Sequence, residues 1–389
     1  MIKESSRLPI TQALVSKSTQ FPVTPITALV IFASAILTAN AQGQNISYVD
    51  LSPPDANASV LTGVSGTNQV GWSNVEAGVT SATVWSGTAA SFVNLNPAGS
   101  SNSAAWATCG TQQAGQVTFG SNEHACIWSG TAASFIDLNP SVSTYSEAFW
   151  TTGSQQAGYV TISGKGHAAI WSGTASSFVD LNPAGAVSSS LLATTGTQQT
   201  GTATFSVGGN PCAGIWSGSA ASFVNLNPTG ATNSIAVATC GTQQAGWANV
   251  GINGNDNACI WSGTASSFVN LNPTGAVYSY ATATTGAIQA GYADFGPYES
   301  AGIWYGSASS FVNLQAVLGS GYTSSEATGI WTAGDVTYVC GDAYTTGGQK
   351  DAVLWTVQSV PEPSCAVLAV IGLAALSMRR RPKIVALIG

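Results

Sequence analysis

Seven near-copies of one unit fill most of this chain, and a unit of 40 to 50 residues with four short apolar runs is the signature of propeller blades. An aliphatic-Trp pair marks each copy: Val84-Trp85, Ile127-Trp128, Ile170-Trp171, Ile215-Trp216, Ile260-Trp261, Ile303-Trp304 and Leu354-Trp355. Successive Trp residues stand 43, 43, 45, 45, 43 and 51 residues apart. The first six are each followed by a segment of the type Ser-Phe-Val-Asn-Leu-Asn-Pro, as at Ser91 to Pro97 and Ser222 to Pro228. A Ser/Ala/Thr stretch and Gly-Thr-Gln-Gln-Ala-Gly come next, as at Gly110 to Gly115 and Gly241 to Gly246.

The second copy predicts four strands: Ser103 to Thr108, Ala114 to Phe119, Ala125 to Trp128 and Ser134 to Leu138. The Gly-Thr-Gln-Gln, Gly-Ser-Asn and Ser-Gly-Thr-Ala connections read as turns. No part of the repeat carries a 3.6-residue apolar period, so helices are not expected there. The array opens at Ser47 to Pro53 with a fourth strand alone and closes at Ala352 to Trp355 with a third strand lacking its fourth. The two fragments complete one blade. A closed ring follows, favoured over a solenoid or an open array because closure hides strand edges and no polar caps are present. The fold class is therefore all-β, a seven-bladed β-propeller of four-stranded blades spanning residues 47–357. Small residues such as Ala105, Ala107, Ala193, Ala236 and Ala238 suit a crowded innermost strand, and the Trp of the third strand suits packing between blades.

Charged residues make up 6% of the chain. Residues 47–357 contain two lysines, Lys165 and Lys350, no arginine and 14 acidic residues, a formal charge of −12. Such an array is a poor partner for phosphate backbones, which excludes nucleic acid. The seven cysteines show no metal spacing. Cys109 and Cys126 recur in register as Cys240 and Cys259, which reads as duplication of one unit. On the strand assignment they fall at opposite ends of a blade, beyond disulfide reach.

Residues 1–41 read as a signal peptide with a signal helix. Lys3, Arg7 and Lys17 form a long basic region, Ile26 to Leu37 an apolar core, and Ala39-Asn40-Ala41 an Ala-x-Ala cleavage site. Residues 358–383 read as a second address. Val360-Pro361-Glu362-Pro363-Ser364 precedes an apolar run, Cys365 to Met378, and then Arg379-Arg380-Arg381. The run is a short transmembrane helix at most, and the arginines favour the cytoplasmic side.

Pro361, Glu362 and Pro363, the short run containing Gly372-Leu373, and Arg379, Arg380 and Arg381 together resemble a PEP-CTERM sorting signal. That resemblance implies a Gram-negative bacterium, processing of the tail by an exosortase-type membrane enzyme, and delivery from the inner membrane to the cell surface or extracellular matrix. The array also resembles HAF-type extracellular repeats through His124-Ala125 and His167-Ala168 before the aliphatic-Trp pair and through Gln113-Ala114-Gly115 and Gln156-Ala157-Gly158. Other copies place Ser81, Cys212, Asn257, Ser300 and Asp351 at the His position, which argues against an essential histidine.

No residue set declares a catalytic centre, and no cofactor or metal is expected. Asp50, Asp137 and Asp180 alternate with Asn94, Asn225, Asn270 and Asn313 at one repeat position, so turn chemistry, not charge or a calcium ring, is the reading there. Glu123, Glu147, Asp256, Asp294 and Glu299 occupy different repeat positions and form no evident pair for glycoside hydrolysis. Aromatic residues are the candidate ligand contacts: Trp72, Tyr159, Trp247 and Tyr292 after the glycine of the second strand, and Trp106 and Trp150 in or near the first. The expected function is a non-enzymatic surface or matrix scaffold binding polysaccharide or another surface component. The alternative is a propeller lyase or hydrolase acting on polysaccharide, which would need charged residues converging on one end.

Overall fold

The computed structural model describes residues 44–76, 78–250 and 254–359. They form seven four-stranded antiparallel sheets. The first strand of each sheet packs on the first strands of its neighbours, and Ser59–Ser65 packs on Tyr322–Ala333 to close the circle. The chain is a seven-bladed β-propeller. Blades 1 to 6 occupy residues 59–94, 102–137, 146–180, 188–225, 234–270 and 278–313. Blade 7 combines residues 322–359 with the strand Gln44–Asp50. In that composite sheet Tyr48 lies opposite Trp355, Val49 opposite Leu354 and Asp50 opposite Val353, as the complementary end fragments require. The strand starts at Gln44, before Ser47, and its partner continues through Gln358 to Ser359, two residues that the sequence assigned to the sorting region. The signal segment 1–41 and the rest of the sorting region, from Val360, lie outside the described residues.

The second blade shows how local chemistry sets the strand lengths. Its strands are Asn102–Cys109, Gln112–Phe119, Asn122–Trp128 and Ile136–Asp137. The fourth is far shorter than the Ser134 to Leu138 expectation. Ala132–Ser134 is a 3-10 turn, because Ser134 Oγ accepts from the Ser129 N–H (2.7 Å) and donates to Thr131 O (2.6 Å). The result is an outer edge only two residues long, too short to template another chain.

All seven Trp residues of the third strands are fully buried. Each fills a separate core between two blades. Trp128, for example, packs on Val70, Val84 and Leu95 of blade 1 and on Ala105 and Val117 of its own blade. The Leu of the Asn-Leu-Asn-Pro segment, such as Leu95, Leu138 and Leu181, is equally buried and donates its N–H to the third strand of its own blade. An indole of this size removes about 200 Å² of apolar surface from water, worth about 5 kcal/mol.

Candidate functional site

The first strand of every blade starts at one end of the ring, here the upper rim, and turns back at the other, the lower rim. The second strand therefore ends, and the third begins, at the upper rim. Thirteen of the fourteen acidic residues of the array lie on the upper side; Asp335, in the lower turn of blade 7, is the exception. Lys165 and Lys350 begin third strands and sit there too.

The lower rim is a repeated polar relay. Gln112 Oε1 accepts from Thr151 Oγ1 (2.5 Å) and Gln156 Nε2 (2.9 Å) of the next blade. Gln155, Gln198 and Gln243 do the same for Thr194 and Gln199, Thr239 and Gln244, and Thr284 and Gln289. The second Gln of each pair also accepts the N–H of the Ser-Gly turn in its own blade, as Gln156 does from Gly173 (2.8 Å). The Gln-Gln dipeptide is thus an inter-blade clasp and not merely part of a turn. The reason is burial: Gln113, Gln156, Gln199, Gln244 and Gln289 are almost wholly covered, so their amides must find partners within the protein.

A bulge at an equivalent point of each first strand shapes the inner wall. The bulged residues are Thr62, Trp106, Phe149, Leu192, Val237, Thr282 and Thr328. The carbonyl just before this point presses so close to the second strand that a Cβ on Gly158 would lie 1.8 Å from Glu147 O. That contact explains the glycine of every Gln-x-Gly copy. In blades 6, 7 and 1 the bulged Thr hydroxyl bonds the next blade, as Thr62 Oγ1 does with Ala105 O (2.7 Å). In blades 2 to 5 the position is Trp, Phe, Leu or Val.

Two aromatic-acidic stations stand on the upper side. A cleft of about 300 Å³ between blades 1 and 2 is walled by Trp72 and Trp106 and edged by Asn102, Gln116, Thr118 and Glu123. Trp106 Nε1 donates to Gln116 Oε1 (3.1 Å), and its ring continues through Phe149 (6.2 Å) to Tyr159 (5.8 Å) and Tyr145 (6.0 Å). Tyr159 Oη donates to Glu147 Oε1 at 2.8 Å. The second station joins Trp247 to Tyr280 (5.5 Å) and Tyr280 to Tyr292 (5.2 Å) and Tyr278 (5.7 Å). Tyr280 Oη donates to Asp256 Oδ2 (2.9 Å) and Tyr278 Oη to Glu299 Oε1 (2.6 Å).

Glu123 and Glu147, read from the sequence as forming no evident pair for glycoside hydrolysis, are neighbours across blades 2 and 3. Glu123 opens the third strand of blade 2, Tyr145 of blade 3 bridges to it, and Glu147 follows in the same first strand. Burial, and after it the neighbouring Glu123 carboxyl, push Glu147 up to about 8. Glu123 Oε1 is shielded from water with no donor from other side chains or backbone. Repeat numbering hid this pair, because successive blades juxtapose the third strand of one with the first strand of the next.

The remaining candidates divide. Trp72, Trp106, Tyr159, Trp247 and Tyr292 all lie, half-buried, in the upper stations. Trp150 does not: it lies one residue past the bulged Phe149 and lines a lower cavity of about 300 Å³ with Trp331 and Cys109. Its 44-residue offset from Trp106, against the 43-residue repeat, already carried that signal. Phe149, Tyr145, Tyr278 and Tyr280 were missed; they occupy first-strand positions in or beside the register of the aromatic residues that were found, as Tyr280 is opposite Tyr292.

His124 and His167 each place Nδ1 2.8 Å from Asp137 and Asp180 respectively, in two of the three blades where Asp replaces Asn. The other carboxylate oxygen makes the turn bond that Asn makes elsewhere, as Asp137 does with the Asn139 N–H (2.7 Å) and Asn94 with the Asn96 N–H (2.7 Å). Cys109, Cys126, Cys212, Cys240, Cys259 and Cys340 are free thiols. Ala39 and Ala41, Pro361, Glu362 and Pro363, and Arg379, Arg380 and Arg381 lie outside the described residues. Among the described residues no group of three His, Cys, Asp or Glu side chains is placed to hold a metal, and no helix is long and apolar enough to cross a membrane.

No family model matches the sequence, and no curated protein matches it. Among solved structures, the β-propeller domain of the Trilobed protease from Pyrococcus furiosus, a propeller of open velcro topology, is similar with a TM-score of 0.51 at 10% identity, covering 79% of this chain and 100% of that one. Pyrococcus horikoshii acylaminoacyl peptidase gives a TM-score of 0.47 at 8% identity over 78% of this chain and 54% of that one. TolB from Acinetobacter baumannii gives 0.40 at 12% identity over 64% and 66%. At these identities the likeness is one of fold: the chain has the architecture of a β-propeller.

Proposed function

We propose that this protein is an exported, non-enzymatic surface or matrix scaffold that binds polysaccharide through its upper rim and is sorted by an exosortase-type enzyme. The observation that carries the binding reading is the cleft between blades 1 and 2. Two Trp walls offer flat apolar faces to a sugar ring, and Asn102, Gln116 and Glu123 offer hydrogen bonds to its hydroxyls. The positions of the chain ends support the sorting reading. Gln44 and Ser359 are cross-strand partners, and the Ser359 N–H bonds Asp335 O in the lower turn of blade 7. Both ends of the propeller therefore leave by the lower rim, and a protein held through its tail would present the aromatic rim outward.

The enzymatic alternative finds its best support in Glu123 and Glu147. Glu147 is taken up by the Tyr145 and Tyr159 hydroxyls, whereas glycosidases set two carboxyls about 5 Å or farther apart on either side of the scissile bond. Binding without turnover is the better account. A glycan array probed with the purified full chain tests it: we expect polysaccharide ligands that are lost with Trp72→Ala or Trp106→Ala and retained with Trp150→Ala. An array blank for the wild type, or release of reducing ends from a bound glycan, would refute the reading.

A further inference from the structure

The upper cleft contains one ionisable group, Glu123, and its other polar members, Thr80, Asn102, Ser103, Gln116 and Thr118, are neutral. Behind Glu123 stands a second carboxyl, Glu147, whose nearest partners are the Tyr145 and Tyr159 hydroxyls. Basic groups are scarce on this rim. Lys350 is tied to Asp342 (2.9 Å) in blade 7, Lys165 begins the third strand of blade 3, His124 and His167 are each joined to an aspartate, and the array has no arginine. A uronate-bearing polymer would bring like charge to a cleft with no cation to receive it. A polymer with free amino groups would bring a cation to the one carboxyl that edges the cleft.

Resting on the polysaccharide reading above, we propose that this cleft selects amino sugars with a free ammonium group, taking the pyranose ring between Trp72 and Trp106 and the ammonium against Glu123. The ammonium makes a charge-assisted hydrogen bond to a carboxylate in a half-buried setting, where such bonds are strongest. The indole faces add attraction for the same charge. At about 300 Å³ the cleft lies at the small end of ligand pockets and holds a single sugar unit, so the longer chain runs out over the rim.

The test is calorimetric titration of the purified full chain with three hexamers: β-linked glucosamine, β-linked N-acetylglucosamine and α-linked galacturonic acid. The glucosamine hexamer should bind about tenfold or more tightly than the acetylated one, the size of one charge-assisted contact, and the galacturonate hexamer should not bind. Glu123→Gln should erase that preference, whereas Asp335→Asn, which removes the same charge from the lower rim, should change nothing. The wild-type ranking alone decides the matter if Glu123→Gln does not fold. Equal affinity for the acetylated and free-amine hexamers would overturn the amino-sugar assignment and leave polysaccharide binding standing. An equal loss from Asp335→Asn would overturn it too, since attraction would then follow net charge and not the cleft. Binding to none of the hexamers would also overturn it, and the glycan array would then decide the wider reading.

Discussion

The two rims of this propeller are made by the same seven repeats and follow opposite rules. At the lower rim the same side chains recur: Gln112, Gln155, Gln198 and Gln243 each receive a Thr and a Gln from the next blade. At the upper rim the register occupied by Tyr159 in blade 3 holds Trp72, Gln116, Thr202, Trp247, Tyr292 and Asp342 in the others. Identity persists where each group satisfies its neighbour. Individuality collects where half-exposed side chains have only part of their surface covered by the protein. The difference separates what holds the ring together from what it offers to a ligand.

The largest effect should come from the repeated core between the rims. Trp171→Ala removes a fully buried indole and should cost about 3–5 kcal/mol in denaturant unfolding. Trp106→Ala, at a position where other blades carry Thr, Leu or Val, should cost about 1 kcal/mol or less and act mainly on ligand binding. Equal destabilisation by the two would break the division between repeated scaffold and individual surface. An intermediate effect is expected at the lower rim. Gln156→Ala removes a bond to Gln112 and leaves the Gly173 N–H without its acceptor, a loss of about 2 kcal/mol, and Gln199→Ala and Gln244→Ala should match it. Disagreement among the three equivalent variants would mean that the relay is not one repeated device.

A further small effect belongs to Glu147, where the pH dependence has a definite sign. Glu147 keeps its proton in the folded protein up to about 8, while in the unfolded chain it releases the proton in the ordinary carboxyl range near 4.5. The stability it contributes is therefore fully present below about 4.5 and is lost as pH rises to about 8, by on the order of 1–2 kcal/mol. Glu147→Gln has no proton to lose, so its unfolding midpoint should lose that slope and exceed the wild type's at pH 8.5. Parallel wild-type and variant curves across this window would remove the protonated Glu147 from the account of the upper rim.

From its sequence alone this protein determines its blade number, its four-strand unit, its ring closure and its buried Trp set, because each is a matter of period and complementary ends. Tyr48 opposite Trp355 is that arithmetic realised. The His-Asp pairs were legible in principle, since the blades with His124 and His167 are those where Asp137 and Asp180 replace Asn. Tertiary structure decided the rest. It turned the Gln-Gln dipeptide into a clasp and brought Glu123 beside Glu147. The physical reason is common to both: each depends on how one blade meets the next, and a repeat read blade by blade records what every unit contains but not which residues of neighbouring units share a surface.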